Sequence, residues 1–203
     1  LSSNFALYGD MSQRVMSVLS QHSSALEIYS IDEAFIDLTG LPMDKLLPEI
    51  KYLKVIVEQW TGIPVSIGVG STKTLAKVAN HLAKYSTGVE VLTDSMDIKN
   101  ALKNLKVEDI WGVGRRLKKK LNNFGIKNAL ELRNQNELWV QKYMTIVGRR
   151  LQLELKGIIC YELETNPTNK KQICTSRSFG RLVQELSKLE EAASMYATRC
   201  AEK

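Results

Sequence analysis

The chain has 203 residues and a mass of 22.9 kDa, with 44% hydrophobic and 25% charged side chains. That is enough to bury a core in one large domain or two small ones, and too apolar for a disordered polypeptide. Its apolar runs are short, such as Val55-Ile56-Val57, which excludes a membrane-spanning helix of roughly 20 residues.

Charge is divided unevenly. Residues 1–98 hold 7 basic and 11 acidic side chains, a net of −4; residues 99–203 hold 21 and 11, a net of +10. Two modules are expected, the second facing a polyanion such as nucleic acid. On charge alone a solvated basic face stands beside that reading. The three cysteines, Cys160, Cys174 and Cys200, form no CxxC pair. A disulfide or zinc scaffold is not expected, and a reducing cytoplasm fits.

In chain order, Met11, Val15, Val18 and Leu19 predict a helix over 10–20. Strands follow at Leu26–Ile31 and Ala34–Leu38, separated by Asp32-Glu33 in a tight hairpin. Asp44 opens a helix over 45–60 with Leu46, Ile50, Leu53, Val57 and Trp60 on its core face. After the breaker Thr61-Gly-Ile-Pro64, a strand at 65–69, a helix over 73–85 and a strand at 89–92 complete an α+β sheet domain with helices on one face. Beyond Leu92 the pattern is all-α, with short helices at 98–105, 115–124, 129–133, 137–143 and 149–156. The polar stretch 165–176 reads as a linker. A strand-like piece at 173–182 and a helix opened by the capping box Ser187-x-x-Glu190 follow. That helix carries Leu189, Ala192, Ala193, Tyr196 and Cys200 on one face and reaches Lys203 without a stop signal. With Leu1 in place of a start methionine, the chain is expected to be an internal segment of a longer protein.

Three places carry chemistry. At a tight turn the adjacent carboxylates Asp32 and Glu33 can converge on one hard cation such as Mg²⁺, which takes one or two carboxylates plus substrate phosphates; a solvated turn is the plainer reading. Asp37 reads as structural or exposed. The stretch Gly68-Val-Gly-Ser-Thr-Lys-Thr74 is not a P-loop, since Ile67 and Thr72 stand where glycines are needed. It leaves a glycine-rich turn before a helix N-terminus, with Lys73, Lys77 and Lys84 along one helix face, which by itself reads as solvated. Gly112-Val113-Gly114, between two short helices, reads as a helix-hairpin-helix signature whose backbone N–H groups can bind a DNA phosphate without reading sequence, with a plain αα-hairpin as the alternative. Residues 99–127 hold 9 basic and 2 acidic side chains, in keeping with that role. Ile146-Val-Gly148-Arg-Arg150 is a weaker second copy.

Tyr29-Ser-Ile-Asp-Glu-Ala-Phe-Ile-Asp-Leu38 resembles the second catalytic motif of Y-family translesion DNA polymerases. Pro64–Lys84, the hairpin at Ile110–Gly114 and Gln172–Gly180 match in the same order, and Ser2–Ser12 is most similar to the bacterial UmuC-like branch. The resemblance implies a partial polymerase palm over 1–93 without its first strand, a helix-hairpin-helix thumb over 94–165, a linker over 166–171 and the start of a little-finger domain over 172–203. It implies an error-prone, DNA-directed DNA polymerase of the SOS response. Asp32 and Glu33 would hold two Mg²⁺ ions, Lys84 would contact the incoming deoxynucleoside triphosphate, and Gly112, Val113, Gly114, Arg115 and Lys118 would hold primer–template DNA. A UmuD-type dimer, a recombinase filament and a sliding clamp are the further implied partners; a membrane is not.

The family's first catalytic Asp and its steric gate have no counterpart here, so the 203-residue chain alone is expected not to polymerise. Two rivals are a DNA-binding helix-hairpin-helix protein with a dead palm, which the intact carboxylate pair opposes, and a palm-fold nucleotide cyclase, which the hairpin and basic half oppose.

Overall fold

A computed structural model describes residues 4–166 and 172–202. They form two compact units that divide between Thr165 and Asn166.

The first unit opens with α1 (Phe5–Gln21), capped by the Asn4 side chain on the Leu7 amide. The antiparallel pair β1 (Leu26–Ile28) and β2 (Ala34–Ile36) follows, then α2 (Met43–Thr61). β3 (Ile67–Gly70), α3 (Lys73–Ala83) and β4 (Val89–Leu92) make a parallel β-α-β crossover. α4 (Ser95–Asn104), a 3-10 turn at Val107–Asp109, α5 (Arg115–Asn123), α6 (Ala129–Arg133) and α7 (Glu137–Leu155) are the all-α half. The mixed α+β character is as expected, but the strands form two separate pairs, one antiparallel and one parallel.

Three cores hold this unit. α1 and α2 bury Val18, Leu53, Ile56 and Val57 together. Leu46 and Ile50 of α2 pack with Val69 and Val89 of the parallel pair. The largest core runs without a break from Leu75, Val78 and Leu92 into Leu102, Leu121, Leu132 and Leu155. Each such aliphatic side chain contributes about 1.5–3 kcal/mol on burial, so the β-α-β unit and the helices that follow it share one source of stability. α3 lies so close on β3 that a Cβ at Gly68 would stand 1.9 Å from the Asn80 backbone nitrogen, and one at Gly70 would stand 2.6 Å from that of Ala76. These glycines serve helix–strand contact, a more local role than the anion-binding turn their spacing allowed.

Several details differ from expectation. The β1–β2 connection is a five-residue loop, Tyr29–Glu33, in which the Tyr29 and Ser30 amides both donate to the Glu33 carbonyl at 3.0 Å. No two-residue turn forms, because Asp-Glu lacks the positive-φ residue that such turns need. Trp60 is 57% exposed and lies beside His22, off the α2 core face. The two helices expected over 137–156 run into one another as α7, interrupted only at Thr145 (φ 67, ψ −172).

In the second unit, α8 (Leu186–Ala201) starts one residue before Ser187, so the expected capping box does not form. Its apolar face has no buried residue, and the strand-like piece expected at 173–182 forms no strand, with bends at Gly180 and Arg181. The expected linker 166–171 lies, apart from Asn166, outside the described residues. No helix of the described residues is long and apolar enough to cross a membrane.

Candidate metal and nucleic-acid sites

The Tyr29–Glu33 loop, β2, β3 and α3 line one cavity of about 860 Å³. Its lining includes the apolar Val15, Leu53 and Val57 and the charged Asp32, Glu33, Asp37, Lys73, Lys77 and Lys84. One bond within the loop and one from α3 hold the two carboxylates in place. Ser30 Oγ donates to Asp32 Oδ1 at 2.7 Å, and Glu33 Oε1 is ion-paired with Lys77 Nζ. Both sites offer oxygen donors only, and no third His, Cys, Asp or Glu completes a ligand cluster among the described residues. That donor set fits a hard dication that takes its other ligands from phosphate oxygens and water. Asp37 stands apart. Its Oδ1 accepts the Thr39 amide at 2.8 Å, and hydrogen bonding to Thr39 holds its carboxyl below the ordinary carboxylate range.

The lysine stripe of α3 is not simply a solvated face. The Lys73 side chain is only 10% exposed. It pairs with the buried Glu27 and donates to the Glu162 carbonyl at 2.7 Å. Lys77 takes Glu33, while Lys84, at the C-cap of α3, is exposed and has no ion pair among the described residues. The i, i+4, i+11 spacing was visible in the chain, but the partners lie more than forty positions away and only folding supplies them.

Gly112 takes φ +88 in the turn after the 3-10 segment, a conformation that glycine adopts without strain. Val113 is buried and its amide already donates to the Ile110 carbonyl at 3.0 Å, so it anchors the turn. α5 begins at Arg115 with no side-chain cap on its first-turn amides, and Arg115 and Arg116 beside them are exposed. Lys118 is engaged within the chain: its Nζ pairs with Glu108 at 2.7 Å, and that hydrogen bond holds Glu108 below the ordinary carboxylate range.

Two features escaped the linear reading. Trp111, next to Gly112, donates its indole N–H to the Tyr29 hydroxyl at 3.2 Å, and its ring meets those of Tyr29, Phe35 and Tyr161 at 5.5–6.0 Å. The hairpin and the carboxylate loop thus share an aromatic cluster. Glu154, fully buried in α7, accepts the amides of Thr74 at 3.0 Å, Cys160 at 2.7 Å and Tyr161 at 3.2 Å. It ties α7 to the start of α3 and to the chain that follows α7. No linear spacing announces either contact.

Two family models match the chain. The impB/mucB/samB family covers residues 1–81, and the IMS family HHH motif covers residues 95–126, which include the hairpin. Protein UmuC of Salmonella typhimurium is 44% identical over all of this chain and 49% of its own length. The chain belongs to the UmuC-like branch of the Y-family. A DNA polymerase IV of Picrophilus torridus is 35% identical over 78% of the chain and 43% of its own length. The fold of this Y-family chain is similar to that of DinB from Sulfolobus solfataricus, with a TM-score of 0.68, 24% identity, and coverage of 81% of this chain and 49% of that one. The chain spans about half the length of the curated relatives it matches.

Proposed function

We propose that this chain supplies the metal-binding palm and the DNA-gripping thumb of an error-prone, DNA-directed DNA polymerase acting in translesion synthesis after DNA damage. The observation that carries the reading is the one cavity that Asp32, Glu33, Lys77 and Lys84 all line, with Lys77 paired to Glu33. The UmuC likeness over the whole chain supports it. In this reading residues 1–93 are palm, 94–165 thumb, 166–171 linker and 172–203 the start of a little finger.

Asp32 and Glu33 would hold two Mg²⁺ ions, which would activate the primer 3′-hydroxyl and offset charge on the triphosphate. Lys84 holds the incoming deoxynucleoside triphosphate. The hairpin at Gly112–Arg115 grips a backbone phosphate through the uncapped first-turn amides of α5 and Arg115, fixing the duplex without reading its sequence. The primer 3′-oxygen attacks the α-phosphorus and pyrophosphate leaves. The chain's contribution is positioning and charge placement. A UmuD-type dimer, a recombinase filament and a sliding clamp are the protein partners in this reading, and the cytoplasm its location.

Primer extension tests the proposal. In a protein that contains this segment and extends a primer, Asp32→Asn and Glu33→Gln each lower the rate by at least roughly a hundredfold. Extension at the parental rate in both variants overturns the assignment.

A further inference from the structure

The proposed chemistry leaves the Lys77–Glu33 ion pair without a role. The two side chains are 22% and 33% exposed, so water screens the pair only in part. Glu33 is held on the backbone side as well, since its carbonyl closes the loop by accepting the Tyr29 and Ser30 amides. Asp32, its neighbour, has a neutral partner in the Ser30 hydroxyl. The carboxylate pair therefore carries two negative charges, of which one is already met by an ammonium. All three groups line the same cavity, and Lys84, two turns further along α3, lines it too.

We propose that Lys77 is a built-in cation at the carboxylate pair: it occupies Glu33 in the metal-free chain and gives it up when a dication binds. This rests on the metal-binding reading of Asp32 and Glu33. The physical reason is charge competition. A dication and an ammonium repel one another at contact distance, and Glu33 Oε1 cannot serve both at full strength. The device lowers the resting affinity for free dication. It also leaves a released ammonium facing the cavity that Lys84 lines, where an incoming polyphosphate offers it a new anionic partner. A dication and a polyphosphate then favour one another's binding through the one lysine.

The test is calorimetric titration of the 203-residue chain with Mn²⁺ at low salt, for the parent and for Lys77→Met, Lys77→Arg, Asp32→Asn and Glu33→Gln. Lys77→Met is expected to bind Mn²⁺ at least roughly fivefold more tightly than the parent. Lys77→Arg, which keeps the charge, is expected to match it. An unchanged or weaker affinity in Lys77→Met, with weaker binding in Asp32→Asn and Glu33→Gln, overturns the inference and leaves the metal site standing. Parental affinity in Asp32→Asn and Glu33→Gln overturns the metal reading itself, as does no Mn²⁺ binding in any chain. Should Lys77→Met fail to fold, the ¹⁵N resonance of the Lys77 ammonium in the parent chain answers the question during a Mg²⁺ titration. A shift that saturates with Mg²⁺ supports release from Glu33, and an unmoved resonance overturns it.

Discussion

Glu154→Ala removes one side chain and strands three amides. In the parent, Oε2 accepts the Thr74 N–H and Oε1 accepts those of Cys160 and Tyr161, all at 2.7–3.2 Å around a residue with no exposed surface. A buried amide left without an acceptor costs about 1–3 kcal/mol, and bonds to a carboxylate lie toward the upper end. Water entering the space recovers part of this, so a loss of about 3–5 kcal/mol is expected. In a unit of this size that lowers Tm by roughly 10 °C. Glu154→Gln is the informative partner. Its amide oxygen can keep the two bonds at Cys160 and Tyr161 while its NH₂ faces the Thr74 N–H, so it should cost about half as much. Urea unfolding gives both values, and hydrogen exchange at the three amides shows whether the loss is local. A cost below about 1 kcal/mol for Glu154→Ala, or unchanged protection at those amides, refutes the reasoning.

Thr145 holds a β-branched side chain in a region that glycine alone adopts readily, so Thr145→Gly should stabilise by about 1 kcal/mol; a lower Tm counts against the strain. Gly68→Ala drives a methyl group into the α3 backbone and should cost more than about 3 kcal/mol, read as lost soluble yield or lost cooperative melting, whereas parental stability contradicts the close approach. Glu137 is held below the ordinary carboxylate range chiefly by the Lys156 hydrogen bond and then by the Lys156 and Arg149 charges. A depressed folded pKa gives stability that is present above the unfolded pKa and lost as pH falls through the folded one. The Tm gap between parent and Glu137→Gln should therefore be open at neutral pH and close in acid; a gap independent of pH rejects the clamp. Glu108→Gln frees Lys118 for phosphate, so DNA affinity should rise and the log–log salt slope steepen by about 0.9; anisotropy titrations at several salt concentrations decide it, an unchanged slope showing that Lys118 does not reach DNA.

Helix and strand periodicity lay in the chain itself, because side chains three and four apart on a helix must share a face. The α2 and α3 cores and the β-α-β order were legible on that ground, and so was the Gly112 turn. The ends of elements were less so: Ser187 and Asp44 read as caps, yet the N-cap positions of α8 and α2 fall to Glu185 and Pro42. The candidate site was legible as a pair of carboxylates and a row of lysines, with no indication of which lysine meets which carboxylate. Ion pairs such as Lys73–Glu27 and Lys77–Glu33, the Trp111–Tyr29 bond and the three amides on Glu154 join residues whose separation along the chain carries no periodic signal. The sequence by itself determined most of the elements of the first unit, the Y-family motifs and the charge division between halves. Tertiary structure alone decided that Lys118 is paired within the chain, that Lys77 stands on Glu33, and that the hairpin leans on the carboxylate loop, because distance in space is set by packing of the whole core.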